Sequence, residues 1–393
     1  MQSMITDVHK VDAVLSRGVS EVIGRDELRK RMLAGETLRI KLGIDPTSKN
    51  VHVGRSIPLL KLRDFQELGH QIVLIIGDAT GVIGDTSDKT AERPMLDQAT
   101  IDENKQAYFA QIGKLLDMEK VEFRYNSDWL NKLSFKEIGE LANLFSVAEF
   151  TARENIKKRL DEGKRVSLRE MLYPLMQGYD SVAIKADVEI GGSDQRFNNL
   201  AGRTMQPHFG QSPQAIVLGP IVNGTDGQKM SSSRGNVIAL TMEPEEMYGK
   251  VMSMHDDDIV TYLTVCTRIP LEEVAELSQE LSQGVNPRDI KMRLAHELVK
   301  MYHSAEAADK AQQAFIDTFQ KGGVPEDVEE ITAPYIDALL TKEIVKSKSE
   351  LRTLLMAGGV RNPETNEKYE AFPETVEEPT VIKVGKRRFI KLI

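Results

Sequence analysis

TLRIKLGIDPTSKNVHVGRSIPLLKLRDFQELGHQIVLIIGD (37–78) decides the fold. Its first nine residues alternate and then turn apolar, the pattern of a short strand ending at Asp45-Pro46. Residues 52–68 take up helical period through Ile57, Leu59, Leu60, Leu62 and Phe65, and Gly69 stops them. QIVLIIGD (71–78) is apolar on both faces, as a strand between two helix layers is. Strand, helix and strand joined by a right-handed crossover make the unit of a doubly wound α/β sheet, which binds ligands at the carboxyl ends of its strands. GID (43–45) and GDATG (77–81) fall at those ends.

Upstream, residues 1–34 read as polar-amphipathic helix broken at Gly35. Downstream, 96–185 reads as mostly helical, interrupted by the strand-like KVEFRYNS (120–127). ADVEIGGSDQ (186–195) and QAIVLGPIV (214–222) read as further strands, and NGTDGQKMSSSRGN (223–236) as a loop. Beyond 237 helical period takes over, KGGVPEDVEE (321–330) has linker composition, and the end holds a short helix (348–357) with the strands TVIKVG and RRFIKLI. The expected division is a Rossmann-like domain (1–236), a helical domain (237–325), and a linker with a small α+β module (326–393).

With 40% hydrophobic and 28% charged residues, the 393-residue chain has globular composition. Its longest apolar run, IVLII (72–76), is far too short to span a membrane, and the N-terminus lacks the pattern of a secretory signal. Lone Cys266 leaves no intramolecular disulfide and no Cys-rich zinc site, so a cytoplasmic protein is expected. The chain carries net −9, yet Thr341–Ile393 holds seven Lys and four Arg against eight Glu, which leaves the remainder near −12. An acidic body with a basic tail suits local contact with RNA; a solvated lysine-rich surface would have the same composition.

Two segments carry chemistry. In GIDPTSKNVHVGR (43–55) a helix opens near His52, so its N–H groups, its positive end, His52 and Arg55 converge where a phosphate would bind. Gly54 allows a nucleotide to approach the backbone. In KMSSSRGN (229–236), Lys229 and the serine hydroxyls suit a pyrophosphate leaving group, although no P-loop spacing is present. Taken singly, the first segment reads more readily as an ordinary helix start and the second as an ordinary polar loop.

Taken in order, DPT (45–47), HVGR (52–55), GDATGVIGD (77–85), YPLMQGYD (173–180), GGSDQ (191–195) and KMSSS (229–233) resemble the class I aminoacyl-tRNA synthetases, specifically the tyrosyl-tRNA synthetases of bacterial type. The resemblance runs over nearly the whole chain. It implies ATP as a substrate, magnesium arriving with it, and L-tyrosine and tRNA(Tyr) as partners. A homodimer, a helical anticodon-binding domain and a C-terminal RNA-binding module are implied as well.

The resemblance also assigns residues. Asp45, Thr47, Gly54, Gly192, Asp194, Gln195, Met230 and Ser231 would meet ATP or the adenylate, with His52, Arg55, Lys229 and Ser232 at the reacting phosphates. Lys41, Thr80, Asp85, Tyr173, Gln177 and Asp180 would form the tyrosine pocket. Lys89 and Arg93 would reach phosphates from the opposite side, and Arg352, Arg361, Lys386, Arg387 and Arg388 would meet tRNA. The residue types suit these roles: Asp85, Gln177 and Tyr173 offer oxygens to an ammonium, and Asp180 can accept a bond from a phenol. A group built to pair with that hydroxyl is stranded when phenylalanine binds.

Four places depart from the family pattern. Arg55 replaces the second histidine of the HIGH motif, Ser232 replaces the second lysine of the KMSKS motif, Lys41 stands where many members place a tyrosine, and Arg196-Phe197 follows GGSDQ where one branch has Trp-Gly. A tryptophan-specific relative and an RNA-binding relative without activity remain as alternatives.

Overall fold

The structure is a computed structural model and describes residues 4–46, 49–85, 98–319 and 328–393, apart from 343, 346, 364, 366, 377, 386 and 387. Its main sheet has six strands: β1 (Glu21–Ile23), β2 (Arg39–Ile44), β3 (Gln71–Ile76), β4 (Val121–Tyr125), β5 (Val188–Gly192) and β6 (Ala215–Gly219). Their order is β1-β6-β5-β2-β3-β4, parallel except where β1 runs against β6. The chain winds outward from β2 to β3 and β4, then returns to β5 on the opposite side of β2. The strand order therefore reverses between β2 and β5, and a crevice opens at their carboxyl ends.

Residues 72–76 of β3 are almost completely buried, as an apolar strand between two layers must be. The helix Val53–Glu67 covers one face, and Leu168–Ile184 lies over the other, where Ile184 and Ala186 pack with Val73 and Ile75. Residues 1–34 are not one helix. Gly18 and Gly24 turn the chain at φ 59° and 80°, separating helices Val8–Val14 and Arg25–Leu33 and leaving β1 between them as an edge strand. Three half-buried residues are too few to show a period of two.

After β6 the chain is helical through Ala305–Phe319. Packing does not break near residue 237: one apolar core runs from Val11 through the sheet to Ala308 and Ala311. A separate core holds the last module, from Ile331 to Leu392. There β7 (Glu329–Ile331), β8 (Val360–Arg361), β9 (Thr380–Val384) and β10 (Arg388–Leu392) form a sheet of order β7-β10-β9-β8, with the helix Lys348–Met356 beside it. β7 and β8, hidden in linker-like and glycine-rich sequence, carry no strand signal of their own.

Candidate active site

The crevice is a cleft of about 820 Å³, within the range of small-molecule sites. At one end the Leu168–Ile184 helix starts from a capping box in which Ser167 and Glu170 bond reciprocally. Spacings of four and three then set Tyr173, Gln177 and Asp180 on one face, over the ends of β2 and β5. Gly178 makes the seating possible, because a Cβ there would lie 2.9 Å from the backbone of Ala201.

Asp45 follows β2 and organises this end. Its Oδ1 accepts from the Thr80 hydroxyl and its Oδ2 from the Tyr173 hydroxyl, both at 2.7 Å. Burial, followed by the Asp45 charge, holds the Tyr173 phenol well above its ordinary pKa, so it remains a donor. Asp180 forms the floor: Oδ1 accepts from the Trp129 indole at 2.8 Å, and Oδ2 has a long contact with Asn126 at 3.4 Å. Burial pushes its pKa up to about 7, against the opposing influence of Lys41, Trp129 and Asn126. Asp85 borders the cleft and accepts from Gln195 Nε2 at 2.8 Å.

The other end is built where the 229–236 loop meets the start of the Val53–Glu67 helix. His52 caps that helix: its Nδ1 accepts from the N–H of Arg55 at 3.3 Å, which puts the ring proton on Nε2. Burial, and then the Arg55 charge, lower its pKa to about 3, so the imidazole is neutral. The following chain segment is tied to this turn by Val53 N–H to Ile238 O and Leu240 N–H to Val51 O, both 2.9 Å. Met230 packs beneath, its sulfur 3.3 Å from the N–H of Gly54. A Cβ on Gly54 would press on both the His52 ring and that sulfur.

Lys229 extends to Asp194, Nζ to Oδ2 3.3 Å, and so bridges the loop to the end of β5. Gly192 gives Asp194 room, since a Cβ there would be 2.6 Å from its carboxylate. Arg55 donates to the Tyr108 hydroxyl, and Ser231 and Ser232 line the same end. The backbone N–H of Ser231 bonds Asn236 Oδ1 at 2.9 Å.

The cleft thus unites sixteen expected residues that are far apart in sequence. Lys41 is a correction. It does not line the cleft; its ammonium lies behind the wall, 3.0 Å from Glu189, because strand alternation turns it under the Leu168–Ile184 helix. Thr47, Lys89, Arg93, Lys386 and Arg387 lie outside the described residues. In the last module Arg352 is exposed, Arg361 donates to Gly358 O at 2.8 Å, and Arg388 donates to Ile344 O. Sequence reasoning missed Asn126, Trp129, Tyr108, Glu189 and Asn236. Lys41 and Glu189 did leave a signal, as opposite charges inside two strands that are otherwise apolar apart from Arg39 at the start of β2.

A cleft at the switch point of a parallel sheet, acidic and hydroxylic at one end and cationic at the other, is the site of an enzyme that joins a small polar molecule to a nucleotide. The family model for class I tRNA synthetases (W and Y) matches residues 33–320. A tyrosine–tRNA ligase from Carboxydothermus hydrogenoformans is 44% identical over 397 residues, covering 97% of each chain. One from Moorella thermoacetica is 44% identical over 393 residues, 96% of this chain and 94% of its own. The crystal structure of a tyrosyl-tRNA synthetase complexed with L-tyrosine, from Archaeoglobus fulgidus, superposes with a TM-score of 0.63 at 25% identity, over 78% of this chain and 100% of that one. The chain belongs to the tyrosyl-tRNA synthetases of bacterial type.

Proposed function

We propose that this chain activates L-tyrosine with ATP and transfers it to the 3′ end of tRNA(Tyr). The observation that carries this reading is the continuity of one cleft from the Asp180 floor to His52 and Lys229. Tyrosine lies with its phenol toward Asp180 and its ammonium among Gln177, Tyr173 and Asp85. Its carboxylate then faces the nucleotide end. The carboxylate oxygen bonds to the α-phosphorus as the bond to the β-phosphate oxygen breaks, releasing pyrophosphate. A terminal ribose hydroxyl of tRNA next takes the acyl group and AMP leaves. No side-chain nucleophile takes part, so catalysis rests on positioning and charge. His52 donates from Nε2, while Lys229 and Arg55 balance phosphate charge.

Lys229, Arg55 and the Ser231 and Ser232 hydroxyls at the phosphate end suit phosphate oxygens better than a cation. Magnesium therefore arrives on ATP, where it neutralises phosphate charge. Among the described residues no group of three or more His, Cys, Asp or Glu side chains is arranged to hold a metal.

The helices after 237 serve as the anticodon-binding region and the last module as an RNA-binding unit, with Arg352, Arg361 and Arg388 toward phosphates. A cytoplasmic homodimer completes the reading. Phe135, Val147 and Leu168, 92%, 79% and 84% exposed in the helical stretch between β4 and β5, favour a protein partner there. No helix among the described residues is long and apolar enough to cross a membrane.

The deciding experiment is pyrophosphate exchange into ATP with tyrosine, phenylalanine and tryptophan in turn. Exchange with tyrosine alone is expected. Exchange with tryptophan would reassign the pocket, and binding of ATP and tyrosine without exchange would mark a protein whose chemistry Arg55 and Ser232 have disabled.

A further inference from the structure

Behind the wall of the amino-acid pocket lies a buried ionic cluster that the reaction itself does not use. Lys41 and Glu189 are register partners on β2 and β5, 0% and 1% exposed, with Nζ 3.0 Å from Oε1. Lys41 also donates to the backbone carbonyl of Gln177 and to the Ser181 hydroxyl, each at 2.8 Å. All three ammonium hydrogens are then engaged. On the carboxylate, Oε1 accepts a second bond from Gln177 Nε2 at 3.0 Å, and Oε2 accepts from Ser181 at 3.2 Å and from Gln214. The other amide hydrogen of Gln177 goes to Asn199 Oδ1 at 2.9 Å.

This arrangement removes an ambiguity. A primary amide in a pocket wall can present either its carbonyl or its NH2, and the two differ by a half-turn. Here both N–H bonds are committed, so only the carbonyl oxygen is left for the cleft. Flipping the amide would set that oxygen against the Glu189 carboxylate and strand a buried acceptor. A lone buried carboxylate would be costly, and Lys41 supplies the opposite charge from the next strand.

We propose that the Lys41–Glu189 pair is a positioning pair for the substrate ammonium: it locks the Gln177 amide with its carbonyl facing the amino acid. The proposal rests on the reading of this cleft as a tyrosine site. It also gives Lys41 a role behind the pocket wall instead of within the pocket.

The test uses the full chain with three variants, E189Q, K41M and the doubly neutral K41M/E189Q, the last included because a single change leaves one buried charge unmatched. Tyrosine KM and kcat are measured by pyrophosphate exchange. Inhibition by 3-(4-hydroxyphenyl)propionate, which keeps the phenol and carboxylate but has no ammonium, is measured alongside. In the folded double variant the tyrosine KM is expected to rise about 10- to 100-fold, with kcat within a few fold and Ki of the desamino compound unchanged. An unchanged tyrosine KM, or a Ki that worsens in parallel with it, overturns the proposal. Wild-type protein without tyrosine-dependent exchange would instead overturn the functional reading.

Discussion

Trp129, the chain's single tryptophan, donates its indole N–H to Asp180 at 2.8 Å and fixes one carboxylate oxygen at the pocket floor. The second oxygen, which among the described residues has the long Asn126 contact, is the acceptor available to a phenol. Asp180→Ala should therefore lower selectivity for tyrosine over phenylalanine by about 100-fold, the scale of a buried charged hydrogen bond. Trp129→Phe should reduce it less, because the carboxylate loses its orientation but not its charge. Exchange kinetics with both amino acids test this; retained selectivity in Asp180→Ala would move the phenol partner elsewhere.

The same carboxylate predicts a pH dependence. Burial raises Asp180 from 3.8 to about 7, so the folded protein holds this proton more tightly than the unfolded chain. Its contribution to stability therefore falls as pH rises from about 4 to about 7, and is level above that. Asp180→Asn should remove that slope, as seen by denaturant unfolding at about pH 5 and about pH 8. Tyrosine KM in the wild type should fall as pH rises through about 7, because the ionised form is the better acceptor for the phenol. A KM that is flat across that range counts against it.

His52 should behave in the opposite way. Its pKa is lowered from 6.5 to about 3, so the unfolded chain takes the proton first, and stability is lost as pH falls from about 6.5 toward about 3. At neutral pH the ring is a neutral donor, and no inflection in kcat/KM near pH 6.5 should trace to it. His52→Ala should lower kcat about 100-fold and stability by about 1 kcal/mol through the lost helix cap. An inflection near pH 6.5 that disappears in this variant would show that the histidine titrates during turnover.

Much of this was legible in the chain. The β2–helix–β3 unit and the switch-point crevice follow from residues 37–78, because a buried parallel strand and an amphipathic helix have different periods. The cleft residues fall at strand ends and on one helix face, where spacing is informative. Lys41 was misread because a charged residue in a strand points to a site unless its partner is known. Glu189 lies 148 residues away, and only the β2–β5 register brings the two together. Trp129 and Asn126 follow β4, on a segment whose place over Asp180 depends on tertiary packing. β1 is too short to have a pattern.

Gly77 is required for room and not for its backbone angle, since its φ is an ordinary −78°. A Cβ there would lie 1.9 Å from Asp45 Oδ1 and 2.3 Å from Thr80 Oγ1. Gly77→Ala must therefore displace Asp45 and, with it, the Thr80 and Tyr173 hydroxyls. Loss of about 1–3 kcal/mol in stability is expected from the overpacking, and tyrosine-dependent exchange should fall much further than in Tyr173→Phe, which removes one bond of about 1 kcal/mol. Equal activities in the two variants would mean that Asp45 acts on the pocket only through Tyr173.

Asn236 holds the 226–236 loop in its present shape. Its Oδ1 accepts from Ser231 N–H at 2.9 Å, while Nδ2 donates to Asp226 Oδ1 at 2.7 Å and to the carbonyls of Gln228 and Lys229 at 3.3 and 3.2 Å. The turn closes tightly around it, for a Cβ on Gly224 would lie 2.3 Å from the Asn236 carbonyl. Lys229 can meet a phosphate only if the loop delivers it, so ordering and charge should separate in mutants. Lys229→Ala removes the cation and should lower kcat by about 10²–10³. Asn236→Ala keeps the cation but releases its backbone, and should raise ATP KM with a kcat loss nearer tenfold, along with faster amide exchange over 226–236. Wild-type ATP kinetics in Asn236→Ala, with exchange accelerated, would show that Lys229 finds the phosphate without a preformed loop.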